Sequence, residues 1–158
     1  MFFEQKIGPS WLLHTLAALY WRGHGRASNG IECFRQALSA VPEQHSHIPL
    51  TNLAGLLLKM GQVKDALLLA SAAHQTDDRE PKTNYLLGLL HLHLGNHSLA
   101  VRHFDVALKY ETAADSVHQE MEHFKLMAAC RASEKETAQQ LQCQGVSTTQ
   151  HLKNKTCD

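Results

Sequence analysis

Charge of one sign is not in excess in this chain: 15 Lys and Arg balance 15 Asp and Glu over 158 residues. A chain without a basic face has no electrostatic hold on a phosphate backbone, so nucleic acid is not an expected partner. Proline is scarce, at 4 residues, and glycine numbers 9. Most of them stand where helices would end, which suits an all-α chain. No Cys-x-x-Cys pair occurs among Cys33, Cys130, Cys143 and Cys157, and that wide spacing is not the pattern of a structural zinc site. At 44% hydrophobic residues the chain can bury one core without disulfide staples, so free thiols in a reducing, cytoplasmic compartment are expected. The apolar run Trp11 to Trp21 is 11 residues long and contains His14 and Thr15, too short to cross a bilayer. Glu4 and Gly8-Pro9 flank it poorly for a signal peptide, and membrane insertion is not expected.

Residues that could carry chemistry are present but do not assemble. Among 12 histidines, His91, His93, His97 and His103 lie closest together. Gly95 interrupts the helix between His93 and His97, so solvated or groove-edge histidines are expected in place of a metal site. Cys33 beside Phe34 reads as a buried, inert thiol. Gly23, Gly25 and Gly30 lack the strand-to-helix setting and the Lys-Ser/Thr of a phosphate loop. Asn96-His97-Ser98 and Asn154-Lys155-Thr156 match glycosylation acceptors, which matter only in a secreted chain. No cofactor is implied, and an enzyme is not expected.

What the chain does have is a repeat. Leu53-Ala54, Gly61, Ala66 and Ala73 recur 34 residues later as Leu87-Gly88, Gly95, Ala100 and Ala107. A weaker copy runs through Trp21, Gly25, Gly30, Phe34, Ala37 and Pro42. A fixed period of this length marks stacked helix pairs. The spacing predicts helices over 10–22 and 28–40, then 48–60 and 63–74, then 82–94 and 98–110. Ser10 is the expected first N-cap, and Pro42 to Pro49 an expected loop. That loop carries two extra residues, because Gly30 to Ala66 spans 36 and Ala66 to Ala100 spans 34. Gly88 and Ala54 should let paired helices approach closely, while Ala66, Ala73, Ala100 and Ala107 leave room for large neighbours. The expected organisation is a leader over 1–9, repeats over 10–44, 47–80 and 81–114, a capping helix over 115–141 and a flexible tail over 142–158. Val117, Met121, Phe124 and Ala128 give the capping helix its apolar face, with Glu120, Glu122, Lys125 and Arg131 turned to solvent.

These residues closely resemble the tetratricopeptide repeat family. The segment NYLLGLLHLHLGNHSLAVRHFDVAL has the family's Leu-Gly, Gly, Ala, Phe and Ala positions in Leu87-Gly88, Gly95, Ala100, Phe104 and Ala107. The second repeat has Ala54 for the inner Gly and Ala70 for the Phe; the first has Ala17-Ala18 for the Leu-Gly pair and Gly30 for an Ala, yet keeps Pro42. The resemblance implies an all-α, right-handed α-solenoid of three helix pairs and a C-terminal capping helix. It also implies a protein-interaction scaffold. A narrower likeness lies in LAALYWRGHGRASNGIECFRQALSAVP and IPLTNLAGLL, which look similar to the C-terminal repeats of a much longer member of the family. That member is associated with actin filament assembly and cilium formation, which would imply a cytoskeleton- or cilium-associated adaptor.

In such arrays the first helix of each pair lines a concave groove. The register assigns Leu12, Thr15, Leu19 and Arg22 to it from the first pair. Ile48, Thr51, Asn52, Gly55 and Lys59 come from the second, and Lys82, Tyr85, Leu86, Leu89 and His93 from the third. A mostly apolar groove with polar points suits an amphipathic helix or an extended peptide. The family's clamp for a chaperone's terminal carboxylate needs cationic and amide side chains at five groove positions. Here those positions hold Thr15, Leu19, Asn52, Lys82 and Leu86, so only Asn52 and Lys82 fit. The alternative to a peptide scaffold is a structural fragment that self-associates through its uncapped N-terminal repeat.

Overall fold

The structure, a computed structural model, describes residues 8–111 and 115–143, with side chains in the last helix described from 118 to 139. Among the described residues it is helical throughout, apart from turns. Three antiparallel hairpins follow one another: α1 (Ser10–Gly23) with α2 (Ala27–Ala40), α3 (His47–Lys59) with α4 (Val63–Thr76), and α5 (Pro81–His93) with α6 (His97–Tyr110). A single long helix, α7 (Asp115–Cys143), closes the stack. Each hairpin packs on the next, α2 and α4 bridging to α3 and α5, and α7 lies along α6. The architecture is an all-α solenoid of the tetratricopeptide repeat type.

The same turn is built three times. Gly25, Gly61 and Gly95 have φ of 72°, 77° and 74°, a left-handed conformation that costs glycine nothing and any residue with a Cβ about 1–2 kcal/mol. Around Gly61 the amides of Gly61 and Gln62 donate to Leu58 and Leu57 carbonyls, at 3.0 and 2.9 Å. Gly95 and Asn96 do the same to Leu92 and His91, and Gly25 and Arg26 to Arg22 and Trp21. Each first helix is thus stopped, with its last carbonyls satisfied, by one motif.

Packing between paired helices rests on small residues. Ala18, Ala37, Ala54, Ala66, Ala70, Ala73, Ala100 and Ala107 are all 0% exposed, as are Phe34 and Phe104. The tightest approach is at Gly88, where a Cβ would stand 2.6 Å from the ring of Phe104. The third pair therefore combines the smallest residue with a phenyl ring, while the register puts Ala54 and Ala70 at the matching places of the second. Ala54, Ala70 and Phe104 are all fully buried in these seams.

Boundaries depart from the sequence expectation where capping is concerned. Pro9, not Ser10, holds the N-cap position of α1, and no side chain caps it; Ser10 is the first helical residue. The Pro42 to Pro49 loop is mostly structured. A single 3-10 turn, Glu43–His45, absorbs the extra residues, and Pro49 is buried in the first turn of α3, where a missing N–H costs nothing. His45 stacks on Trp11 with ring centres 5.8 Å apart, tying this turn to α1. Helix α7 runs two residues past the expected end of the capping helix, to Cys143; the rest of the expected tail, and leader residues 1–7, lie outside the described residues. Met121 and Ala128 of α7 are buried, and Phe124 stacks on Phe104 at 6.3 Å. Cys33 is a free thiol, but Cys130 is disulfide-bonded. That corrects the expectation of free thiols throughout.

Gly88→Ala should destabilise the fold by about 1–3 kcal/mol, because a buried ring has nowhere to move. Phe104→Leu in the same chain should recover part of that loss. Urea melts of the two variants check both outcomes.

Candidate functional site

The first helices of the three hairpins do face a common hollow. It has a volume of about 390 Å³ and is lined by Arg22 of α1, His47, Ile48, Thr51, Asn52 and Gly55 of α3, Glu80 of the α4–α5 turn, and Lys82 and Leu86 of α5. Gly55 opens it: a Cβ built there meets nothing within 4 Å, so the missing side chain leaves space and no close helix contact. Thr51 on α3 and Thr83 on α5 share a hydrogen bond of 2.7 Å between hydroxyls, holding the two walls together.

Polar groups in the hollow are oriented by the helices that carry them. The Asn52 amide donates to the Ile48 carbonyl at 2.8 Å, which turns its oxygen to Arg22 Nη1, 3.4 Å away. Glu80 caps α5: its carboxylate accepts from the Thr83 amide, and Pro81 follows at the first helical position. With that carboxylate committed to the helix N-terminus, Arg22 and Lys82 leave the hollow positive. A bound segment carrying an acidic or amide side chain has donors to meet there.

Seven of the fourteen groove residues expected from the register, Arg22, Ile48, Thr51, Asn52, Gly55, Lys82 and Leu86, line this hollow, although Leu86 is nearly covered at 7% exposure. The others lie elsewhere. Thr15 is buried and donates its hydroxyl to the Trp11 carbonyl at 2.8 Å. Leu19 packs on the main core, and Tyr85 and Leu89 pack on the smaller one around Phe104 and Ala128. Leu12 is 38% exposed outside the hollow. Lys59 and His93 are exposed in the last turns of α3 and α5, away from it. For Leu19, Tyr85 and Leu89 the error has one cause. A helix of this array has three working faces, toward its partner, its neighbouring repeat and the hollow, and spacing alone does not separate the last two.

Tyr85 shows this best. Its ring lies against Phe104 and Phe124, and its hydroxyl donates to Glu120 of α7 at 3.1 Å. Burial first, then the Glu120 hydrogen bond and charge, push the phenol up to about 12. Glu120 is exposed, yet it anchors α7 as well as meeting solvent. Sequence reasoning missed His47 and Glu80. Glu80-Pro81 ahead of an apolar run was a readable helix start; His47 had no signal beyond its place beside Ile48. Among the described residues no group of three or more His, Cys, Asp or Glu side chains could hold a metal ion, and no helix is long and apolar enough to cross a membrane.

Comparison with known proteins fits this geometry. Tetratricopeptide repeat protein 17 of Danio rerio is 39% identical over 105 residues, 66% of this chain and 9% of the relative. The Homo sapiens protein is 36% identical over 119 residues, 75% of this chain and 10% of the relative. The chain belongs to the tetratricopeptide repeat family. It spans about a tenth of the length of the curated relatives it matches. No family model matches it. Among solved structures, the Sgt2 tetratricopeptide repeat domain from Aspergillus fumigatus superposes with a TM-score of 0.71 at 20% identity, over 82% of this chain and 83% of that one. The first such domain of Spaghetti (RPAP3), bound to the HSP90 peptide SRMEEVD, gives 0.66 at 16% identity, over 76% and 96%. The TPR2B domain of yeast Sti1 in complex with pHsp70 gives 0.67 at 14%, over 76% and 96%. At these identities the likeness to the solved structures is one of fold.

Gly55→Ala should be tolerated sterically and stabilise α3 by about 0.5–1 kcal/mol through reduced backbone freedom in the unfolded chain. A rise in the thermal midpoint checks it; a fall would mean that the space beside Gly55 is closed.

Proposed function

We propose that this chain is a non-enzymatic interaction scaffold that holds a peptide or an amphipathic helix in the hollow between α1, α3 and α5. The observation that carries the reading is the open space over Gly55, ringed by Arg22, Asn52 and Lys82. The solved relatives of this fold that hold HSP90 and pHsp70 peptides support it by analogy. The likeness to tetratricopeptide repeat protein 17 supports an adaptor role in actin filament assembly or cilium organisation, and with it a cytoplasmic location at the cytoskeleton or cilium.

Two variants test the hollow without touching the core. Gly55→Leu fills it, and Lys82→Glu reverses its charge at an exposed site. Each should leave the helical circular dichroism unchanged and weaken capture of the cellular partner about tenfold or more, a loss of about 1.4 kcal/mol or above. Undiminished capture by both folded variants would remove the hollow from the binding site. The location has its own test. In a reducing cytosol the Cys130 disulfide opens, so alkylation in intact cells should label Cys130; a protected Cys130 would point to an oxidising compartment instead.

A second reading, self-association, has a specific observation in its favour. Leu12, Leu13, Leu16 and Tyr20 are 38%, 40%, 54% and 56% exposed and share one stripe of α1. Large apolar residues gathered on one face mark a contact surface more often than scattered ones do. Light scattering over a micromolar concentration series decides it: a mass that rises in the parent chain and stays monomeric in Leu16→Glu supports the stripe, and a constant monomer rejects it.

A further inference from the structure

Three imidazoles meet where the second repeat abuts the third. His103 of α6 lies parallel to His91 of α5, with ring centres 5.4 Å apart and planes 5° from parallel. His74 of α4 packs edge-on against His103, also at 5.4 Å. Asn84 of α5 fixes the proton on His103. Its NH2 group donates to the main-chain carbonyls of Asp78 and Glu80, at 2.9 and 3.0 Å, leaving its oxygen to face Nδ1 of His103 at 3.0 Å. That nitrogen must carry hydrogen, so the neutral ring is the Nδ1–H tautomer. Asn84 is fully buried, and the arrangement has no slack.

The seam gives a second proton a poor reception. An imidazolium donates from both nitrogens, and the Nδ1 atoms of His74 and His91 are buried with no hydrogen-bond partner among the described residues. Arg102, on the same helix as His103, adds positive charge to the site. The α4–α5 turn meets the cluster through main-chain carbonyls, while its Asp77 carboxylate accepts from the Arg79 amide and its Glu80 carboxylate caps α5. Helix α3 reaches α5 through Thr51 on Thr83. On α7, Glu120 is engaged by Tyr85, Lys125 by Asp105 and Lys135 by the Gly95 carbonyl.

We propose that this seam is a pH-sensitive joint, in which protonation of His103 and His91, packed against His74 of the second repeat, loosens the third repeat from the second. Burial first, then His91 and His74, then Arg102, hold His103 down to about 4, and burial lowers His91 as well. The sign follows from the direction. A histidine whose folded value lies below its ordinary 6.5 stabilises the fold in full above that pH, and the contribution is lost as pH falls from 6.5 towards 4. The joint does not depend on what occupies the hollow, although Lys82 and Leu86 ride on the helix it would release.

The experiment is an NMR titration of the ring nitrogens in the full chain, with amide exchange followed at each pH. His103 should still show the neutral Nδ1–H tautomer at pH 5.5, and amides of α5 and α6 should lose protection before those of α1 and α2 as pH is lowered. Thermal melts at pH 7 and pH 5 supply the second arm. His103→Gln keeps a donor for Asn84 but cannot charge, so its drop in melting temperature between the two pH values should be about half that of the parent or less. The exposed His93→Gln control should leave the drop unchanged. Titration of His103 with a midpoint between 6 and 7, or equal drops in parent and His103→Gln, overturns the proposal. Should His103→Gln not fold, the ring titration of the parent chain decides alone.

Discussion

Everything in this fold depends on how closely two helices of a hairpin can lie. Where Gly88 leaves its position empty, the Phe104 ring moves in, and the two backbones reach a separation that one methyl group would forbid. The alanines at equivalent sites do the same at lower amplitude. Close approach buries the large residues between pairs, and that burial is the main favourable term available to a chain with few long-range polar contacts. The left-handed glycine turns serve this constraint by sending each second helix back along the first at a fixed angle.

The fold was legible because each of its rules acts on neighbours in sequence. Gly61 and Gly95 announce a turn, Ala66 and Ala100 a tight seam, and their spacing announces that the unit repeats. No long-range pairing had to be guessed, because each hairpin mostly touches the next. Misreadings cluster at helix starts, where capping is local but redundant. Ser10 looked like a cap, yet Pro9 already sets the entry geometry of α1. Pro49 looked like a loop residue, although the first turn of a helix accepts it freely.

The site was legible only in part, for a reason that the same geometry supplies. Periodicity tells which helix lines the hollow but not which of its faces does so, and Tyr85 sits roughly 100° and Leu89 roughly 60° from Leu86, on the same side of it. Leu86 borders the hollow while the other two pack towards α7. The presence of α7 draws them away, and its contribution becomes visible only when Phe124 and Glu120 are seen against Phe104 and Tyr85. The histidine seam was harder still. His74, His91 and His103 come from three helices, and only assembly of the array shows that they share one Asn-anchored network.

The size relationship between Gly88 and Phe104 has a consequence for how this array can be rebuilt. Its hairpins share a shape but not an interior, because the second pair reaches the same outline with Ala54 and Ala70. Swapping α6 into the place of α4 would set a phenyl ring against Ala54, a pairing the first hairpin accommodates with Ala18 and Phe34, whereas the reverse exchange would leave a hollow of phenyl size beside Gly88. The halves of a hairpin are therefore not exchanged symmetrically: a graft that keeps Gly88 must keep its Phe104, and a cut between repeats preserves that match.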